Sequence, residues 1–241
     1  MKSIFTAKNL FAVLLCIACF FSCYTFASIA LLFREKSEAT SFAVANDVTV
    51  IIDAGHGGED CGAIGVNGAL EKDINLSVAK ELEQLLKGEG INVIMTRTED
   101  KLLYTEAQNI KGQKKQFDLK NRLEHAKSNP DAIFVSIHMN NFHIESCRGI
   151  QVYYSAQNEG SLSLAQSIQS SVTDNLQTYN TRKIKSSGGD IYLLDNAVGV
   201  AVLVECGFLS NWEECEKLSE KDYQRQLSFR IFCGIMEYIN N

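Results

Sequence analysis

The feature that most constrains the fold is an alternation of short β-branched runs with amphipathic helical patterns. Val48–Ile52 is the first such run, and it ends in Asp53-Ala54-Gly55. Lys72–Lys87 follows, with apolar residues spaced as on one face of a helix. Strands separated by helices predict a mostly parallel or mixed central sheet with helices on both faces. We therefore expect one α/β domain.

The rest of the chain continues this alternation. A polar, irregular stretch is either a surface loop or part of the rim of a substrate groove. A capping-box pattern predicts the start of the last helix. In chain order, the predicted elements are strand Ile91–Thr96, irregular segment Thr98–Gln116, helix Asp118–Lys127 with Leu119 inward, strands Ala132–Ile137 and Ile150–Tyr154, helix Ser161–Leu176, strands Ile191–Leu193 and Val200–Val204, and a helix opened by Ser219-x-x-Asp222.

The N-terminal part differs from the rest. Lys2 and Lys8 precede an uncharged stretch, Asn9–Phe33, that is long enough to span a bilayer and longer than an ordinary signal-peptide core. We predict that residues 1–45 are an apolar signal anchor or a signal peptide plus a tether, and that residues 46–241 fold as the functional domain. Positive charge before the stretch predicts that this domain lies outside the cytoplasmic membrane, either anchored or secreted.

Composition and missing motifs exclude several classes of function. The net charge of −6 and the lack of a basic stripe argue against a nucleic-acid partner. Gly55 and Gly57 are not followed by a glycine at position 60, which is Asp60, so the dinucleotide-binding fingerprint is broken. The sequence also contains no phosphate-binding loop and no G-x-S-x-G nucleophile motif.

Four polar residues fall where the active site of an open α/β sheet is expected, beyond the carboxyl ends of the strands. His56, His138 and Glu205 follow predicted strands, and Glu71 opens the first long helix. Two imidazoles and one carboxylate are the ligands of hydrolytic zinc sites, and a second carboxylate can move protons. Plainer interpretations are a turn residue for His56, a core histidine for His138 and a helix N-terminal acid for Glu71. Glu205, inside an apolar run, is costly to bury without a charge or metal nearby.

The segments around these residues form an ordered pattern that resembles a known family. In order they are Ile51-Ile52-Asp53-Ala54-Gly55-His56-Gly57-Gly58, Leu70-Glu71-Lys72-Asp73-Ile74-Asn75-Leu76, Thr96-Arg97, Val135-Ser136-Ile137-His138-Met139-Asn140 and Val204-Glu205-Cys206-Gly207-Phe208-Leu209-Ser210-Asn211. Together they resemble the zinc-dependent N-acetylmuramoyl-L-alanine amidases with an amidase type 3 domain, over about residues 48–239.

This resemblance implies an enzyme that hydrolyses the amide between the lactyl group of N-acetylmuramic acid and L-alanine in peptidoglycan. It implies Zn²⁺ as cofactor, with His56, Glu71 and His138 as ligands and Glu205 as the catalytic carboxylate. The short architecture also resembles the sporulation enzymes that help form muramic-δ-lactam in the spore cortex. An activating protein partner is compatible with such an enzyme. The alternatives are a zinc peptidase that cuts within the stem peptide, a catalytically silent wall-binding scaffold, and a membrane-anchored subunit that holds a partner.

Overall fold

The structure is a computed structural model, and it describes residues 48–241. A six-stranded sheet has the order β2-β1-β3-β6-β4-β5. All neighbouring strands are parallel except β4 and β6, which are antiparallel, so the sheet is mixed as predicted. The strands are β1 (Thr49–Ala54), β2 (Asn92–Met95), β3 (Ile133–Asn140), β4 (Gln151–Tyr154), β5 (Lys185–Ser186) and β6 (Ala201–Phe208).

Six α-helices and one 3-10 turn connect these strands. The 3-10 turn covers Glu106–Gln108, within the segment expected to be irregular. The helices are α1 (Glu71–Gly88), α2 (Lys114–Lys127), α3 (Glu159–Asn175), α4 (Tyr192–Asn196), α5 (Trp212–Ser219) and α6 (Lys221–Asn240). Among residues 48–241, none of them has the length and apolar character needed to cross a bilayer. The predicted span Asn9–Phe33 lies outside the described residues.

The helices cover both faces of the sheet, as the alternating pattern predicted. On one face, α1, α3 and α6 bury the larger cluster, in which Val78, Ile168 and Ile231 pack against β-strand residues such as Val135 and Val204. On the other face, α2 and α4 bury a smaller cluster built on Leu123, Leu194 and Phe134. The smaller group of helices covers less of its face, and that face carries the polar residues described below.

Three local predictions were wrong. Ile191–Leu193, expected as a strand, belongs to the region where α4 forms at Tyr192–Asn196. A short apolar run does not by itself distinguish a strand from a buried helical turn. Leu119, expected to face inward, is 39% exposed because the inner face of α2 carries Asp118 and Arg122 in addition to Leu123.

The expected capping box at Ser219 and Asp222 was the third error. Ser219 is the last residue of α5, and its hydroxyl donates to the carbonyl of Cys215 at 2.7 Å. Glu220 is the residue that precedes α6, and its side chain makes no capping hydrogen bond. Two helices therefore meet where the sequence suggested a single helix start.

Candidate metal centre and hydrolytic site

The loop after β1 presents His56 in an unusual backbone conformation. His56 has φ of 61°, in the left-handed region that non-glycine residues rarely adopt. Two buried arginines hold this loop by its carbonyl oxygens. Arg122 Nη2 donates to His56 O at 2.7 Å, and Arg97 Nη2 donates to Gly55 O at 2.9 Å. The strained backbone is thus stabilised by hydrogen bonds from residues distant in sequence.

A buried carboxylate fixes Arg122 near this loop. Asp53, at the end of β1, is fully buried and pairs with Arg122 Nη1 at 2.7 Å. Ser136 and Thr96 each donate a hydroxyl to the same carboxylate, at 2.6 and 2.7 Å. Although burial opposes ionisation, the Arg122 guanidinium and these hydroxyls lower the pKa of Asp53 to about 2.

Glu71 lies between the two candidate histidines. Its Oε1 is 3.2 Å from His56 Nε2 and 3.0 Å from His138 Nδ1. Backbone N–H groups of Ala63 and Met139 donate to its two oxygens at 2.8 and 3.1 Å. Burial opposes ionisation, but hydrogen bonds with His138 and His56 hold the pKa of Glu71 well below its usual range. Glu71 is therefore an ionised, fully oriented carboxylate.

The three side chains form a set that fits a metal ion. One ligand atom from each of His56, Glu71 and His138 lies within 4.8 Å of the others. Two imidazole nitrogens and a carboxylate oxygen match the three protein ligands of catalytic zinc sites. Among residues 48–241, this is the group of histidine, cysteine and acidic side chains with such geometry. His125 and His143 lie outside it.

Asp60 orients His56, and sequence analysis missed this role. Its Oδ2 is 2.9 Å from His56 Nδ1, so Nε2 is directed toward Glu71. A carboxylate on the second nitrogen is the usual support of a metal-binding histidine. Burial by itself lowers the pKa of His56, but hydrogen bonds and charges of Glu71 and Asp60 outweigh it and raise that pKa to about 9. The available signal is an acid four residues after His56, at the position where the dinucleotide-binding fingerprint would require a glycine.

Glu205 lies on β6 directly beside His138 of β3, with which it is in register. Paired residues of neighbouring strands project from the same face of a sheet. The Oε2 atom of Glu205 is buried and has no hydrogen-bond partner among the described residues. Burial raises the pKa of Glu205 to about 7, with the Glu71 charge adding to the rise and His138 opposing it. A carboxylate of this kind can exchange a proton near neutral pH.

The histidines open into a cavity of about 260 Å³. Its wall includes Leu119 and Leu193, so the exposed position of Leu119 belongs to the site. Lys115 lines this cavity and also a neighbouring one of about 610 Å³ formed with Asn109 and Lys111. The segment Thr98–Gln116 therefore contributes to a groove beside the histidines, which favours the second of its two interpretations.

Known proteins resemble the chain over this whole region. The family described as N-acetylmuramoyl-L-alanine amidase matches residues 50–237. The Bacillus subtilis (strain 168) protein named uncharacterized protein YqiI is 38% identical over 192 residues, covering 79% of this chain and 84% of that protein. The germination-specific N-acetylmuramoyl-L-alanine amidase of the same organism is 35% identical over 189 residues, covering 78% of each.

A solved structure shows the same fold. The CwlD amidase from Clostridioides difficile, in complex with the GerS lipoprotein, is 39% identical with a TM-score of 0.77. The match covers 80% of this chain and 99% of that chain. The sequence resemblance and the fold agree with these relatives. The chain belongs to the N-acetylmuramoyl-L-alanine amidase family, whose members are enzymes acting on peptidoglycan.

Proposed function

We propose that this amidase depends on zinc, which His56, Glu71 and His138 hold, and that Glu205 carries the proton of the reaction. The observation that supports this proposal is the juxtaposition of two kinds of group. Three convergent ligand atoms lie within 4.8 Å of one another. Beside them, Glu205 is the in-register neighbour of His138 and has a buried carboxylate oxygen without a hydrogen-bond partner. The three ligand atoms suit a bound cation, and the Glu205 carboxylate suits a group that accepts and releases a proton.

The roles of the chain's own residues follow from their positions. When bound, zinc would lower the pKa of a coordinated water to about 7 and polarise the substrate carbonyl. Glu205 would accept the proton of the attacking water and deliver it to the leaving amine of L-alanine. Asp60 keeps Nε2 of His56 directed into the site, and the arginine pair keeps its backbone fixed. The products would be a lactyl carboxylate and a stem peptide beginning with L-alanine.

We propose the spore cortex as the place of action, and muramic-δ-lactam formation as the purpose. The germination-specific amidase of Bacillus subtilis, at 35% identity, supports this assignment. Hydrolysis alone leaves a free carboxylate, so closure of the lactam ring requires a second enzyme. The solved amidase in complex with a lipoprotein supports an activating protein partner for this chain as well.

We further propose that residues 46–241 are the catalytic domain, located outside the cytoplasmic membrane behind an anchor or signal within residues 1–45. The uncharged stretch Asn9–Phe33 after Lys2 and Lys8 supports this topology. A reporter enzyme that works only in the cytoplasm, fused after Asn241, should be inactive. Activity of that reporter would contradict both the topology and access to the wall.

Digestion of purified peptidoglycan by the full-length protein in mild detergent tests the activity. We expect release of peptides beginning with L-alanine, loss of that release after a chelator, and recovery on adding zinc. Mass spectrometry of the products separates the alternatives. Fragments cut inside the stem peptide would identify a zinc peptidase. The absence of any cleavage with zinc bound, both alone and with a lipoprotein partner added, would identify a silent scaffold.

A further inference from the structure

A second charged group lies next to the proposed reaction centre, on the side of Glu205 away from His138. Arg182 is half-buried, and its guanidinium lies 4.9 Å from the centroid of the Phe208 ring. Its Nη2 donates to Gln151 Oε1 at 2.6 Å. The metal-centred mechanism described above uses neither Arg182 nor Gln151.

Strand register places Gln151 in line with the proposed catalytic groups. His138 pairs with Glu205 across β3 and β6, and Glu205 pairs with Gln151 across β6 and β4. Residues paired in this way project from one face, so the row continues from the histidine through the carboxylate to the amide. Gln151 is also fixed, because its Nε2 donates to Lys183 O at 2.8 Å.

Arg182 has fewer hydrogen-bond partners than the two arginines under the site. Arg122 pairs with Asp53 and Asp118, and Arg97 donates to four backbone carbonyls. Within residues 48–241, Arg182 has no carboxylate partner, and its buried Nε has no hydrogen-bond partner at all. A buried donor left unpaired is destabilising. Within these residues the guanidinium makes one hydrogen bond, from Nη2 to Gln151, so Nη1 remains for a bound oxygen ligand.

We propose that Arg182, held by Gln151, binds a carboxylate of the stem peptide on the L-alanine side of the scissile bond. This inference rests on the proposed function. In peptidoglycan the residue after L-alanine is a D-glutamyl unit, whose α-carboxyl is either free or amidated. D-glutamate is the second residue after the cut, one step of about 3.8 Å beyond L-alanine, and neighbouring strands are about 4.8 Å apart. Its α-carboxyl can therefore reach the next strand. Guanidinium binds such a carboxylate with paired hydrogen bonds.

The lysines on the other side of the groove are weaker candidates for this carboxylate. Lys114 and Lys115 already pair with Glu59 and Asp60, at 2.9 and 2.6 Å. Their charges are therefore neutralised by the protein, whereas the charge of Arg182 is not. Arg182 lies on the β4 side of Glu205, so the peptide would extend in that direction.

The test compares two substrates and two variants of the full-length protein. The substrates are muramoyl-L-alanyl-D-glutamate and its α-amide, muramoyl-L-alanyl-D-isoglutamine. We expect the unmodified protein to have a KM about ten-fold lower for the free acid. Arg182→Gln should raise the KM of the acid about ten-fold and leave that of the amide unchanged, with kcat retained for both. Lys183→Gln removes the same charge one residue away, from an exposed side chain, and should keep the preference.

Calorimetric binding of the peptides L-alanyl-D-glutamate and L-alanyl-D-isoglutamine to the same proteins separates this inference from the proposed function. A preference for the acid that Arg182→Gln abolishes supports the site, whether or not the substrates are cleaved. Failure to cleave either substrate would contradict the proposed function and not this inference. An unchanged preference in Arg182→Gln would overturn the inference. An equal loss on both substrates would also overturn it, because Arg182 would then act through Glu205.

Discussion

The two halves of the site differ in how their polar atoms are satisfied. On the β1 and β3 side, Glu71 accepts backbone hydrogen bonds at both oxygens, and His56 has a carboxylate at its second nitrogen. On the β6 and β4 side, Glu205 Oε2 and Arg182 Nε are buried without partners. The β1 and β3 side is thus a fixed half, whose polar atoms are already hydrogen-bonded. The β6 and β4 side is an open half, in which polar atoms remain without partners. A fixed geometry suits a metal ion, whereas unpaired groups suit a reacting proton and a substrate that comes and goes.

The largest expected effect tests the fixed half. His138→Ala removes one of three proposed ligands, so zinc should be lost and peptidoglycan hydrolysis should disappear with it. Elemental analysis of the purified variant measures the metal. His143→Ala is the matched control, since that exposed histidine lies five residues further along and outside the cluster. Full zinc occupancy in His138→Ala would remove His138 from the site.

The next effect tests the open half. Glu205→Gln is nearly isosteric and should keep both the fold and the zinc, because Glu205 is not one of the three converging ligands. Turnover should fall by about 10²–10⁴-fold, since the amide cannot accept the proton of water. Turnover and elemental analysis on one preparation distinguish the two halves. Loss of zinc in this variant would make Glu205 a ligand and leave Glu71 as the proton carrier.

A smaller effect concerns the support beneath the fixed half. Arg122→Met leaves Asp53 buried without its cation and should lower the free energy of unfolding by about 3–5 kcal/mol at neutral pH. The contribution of Asp53 to the pH dependence of stability should also change sign. In the unmodified protein the depressed pKa of Asp53 contributes stability above about pH 4, which is lost as pH falls toward 2.

In Arg122→Met, burial without the guanidinium should raise the pKa of Asp53 above its ordinary value. The variant should then lose less stability than the unmodified protein as the pH falls from 6 toward 3, because protonation of Asp53 relieves the buried charge. Urea unfolding at several pH values measures both curves. Parallel curves would show that the Asp53–Arg122 pair does not control the acid response.

The smallest effect tests the support of a single ligand. Asp60→Asn keeps the size of the side chain but weakens the hydrogen bond to His56 Nδ1, so zinc affinity should fall about 10–100-fold with the fold intact. Competition with a chelator of known affinity measures this. Glu59→Gln changes the neighbouring exposed acid and should leave the affinity unchanged. Equal affinities in the two variants would mean that Asp60 does not orient His56.

Much of this protein could be predicted from its sequence. The β-branched runs and the 3.6-residue periodicity gave the mixed sheet and both helical layers, because burial on two faces requires those patterns. The four proposed site residues were chosen because each follows a strand or opens a helix at the carboxyl edge. His56 follows β1 and Glu71 opens α1 as predicted, whereas His138 and Glu205 lie within β3 and β6, which run past the predicted strand ends. The roles of all four stay predictions.

Only the tertiary structure decided what surrounds those residues. Ile191–Leu193 is too short for periodicity to fix its conformation, and packing against the sheet makes it helical. The bonds from Arg122 to Asp53 and His56 join residues more than 60 positions apart, which no local pattern records. The sequence likewise does not show that Arg182 Nε lacks a hydrogen-bond partner, because that depends on which residues surround it in the fold. Sequence determined which groups are present, and folding determined which of them remain unsatisfied.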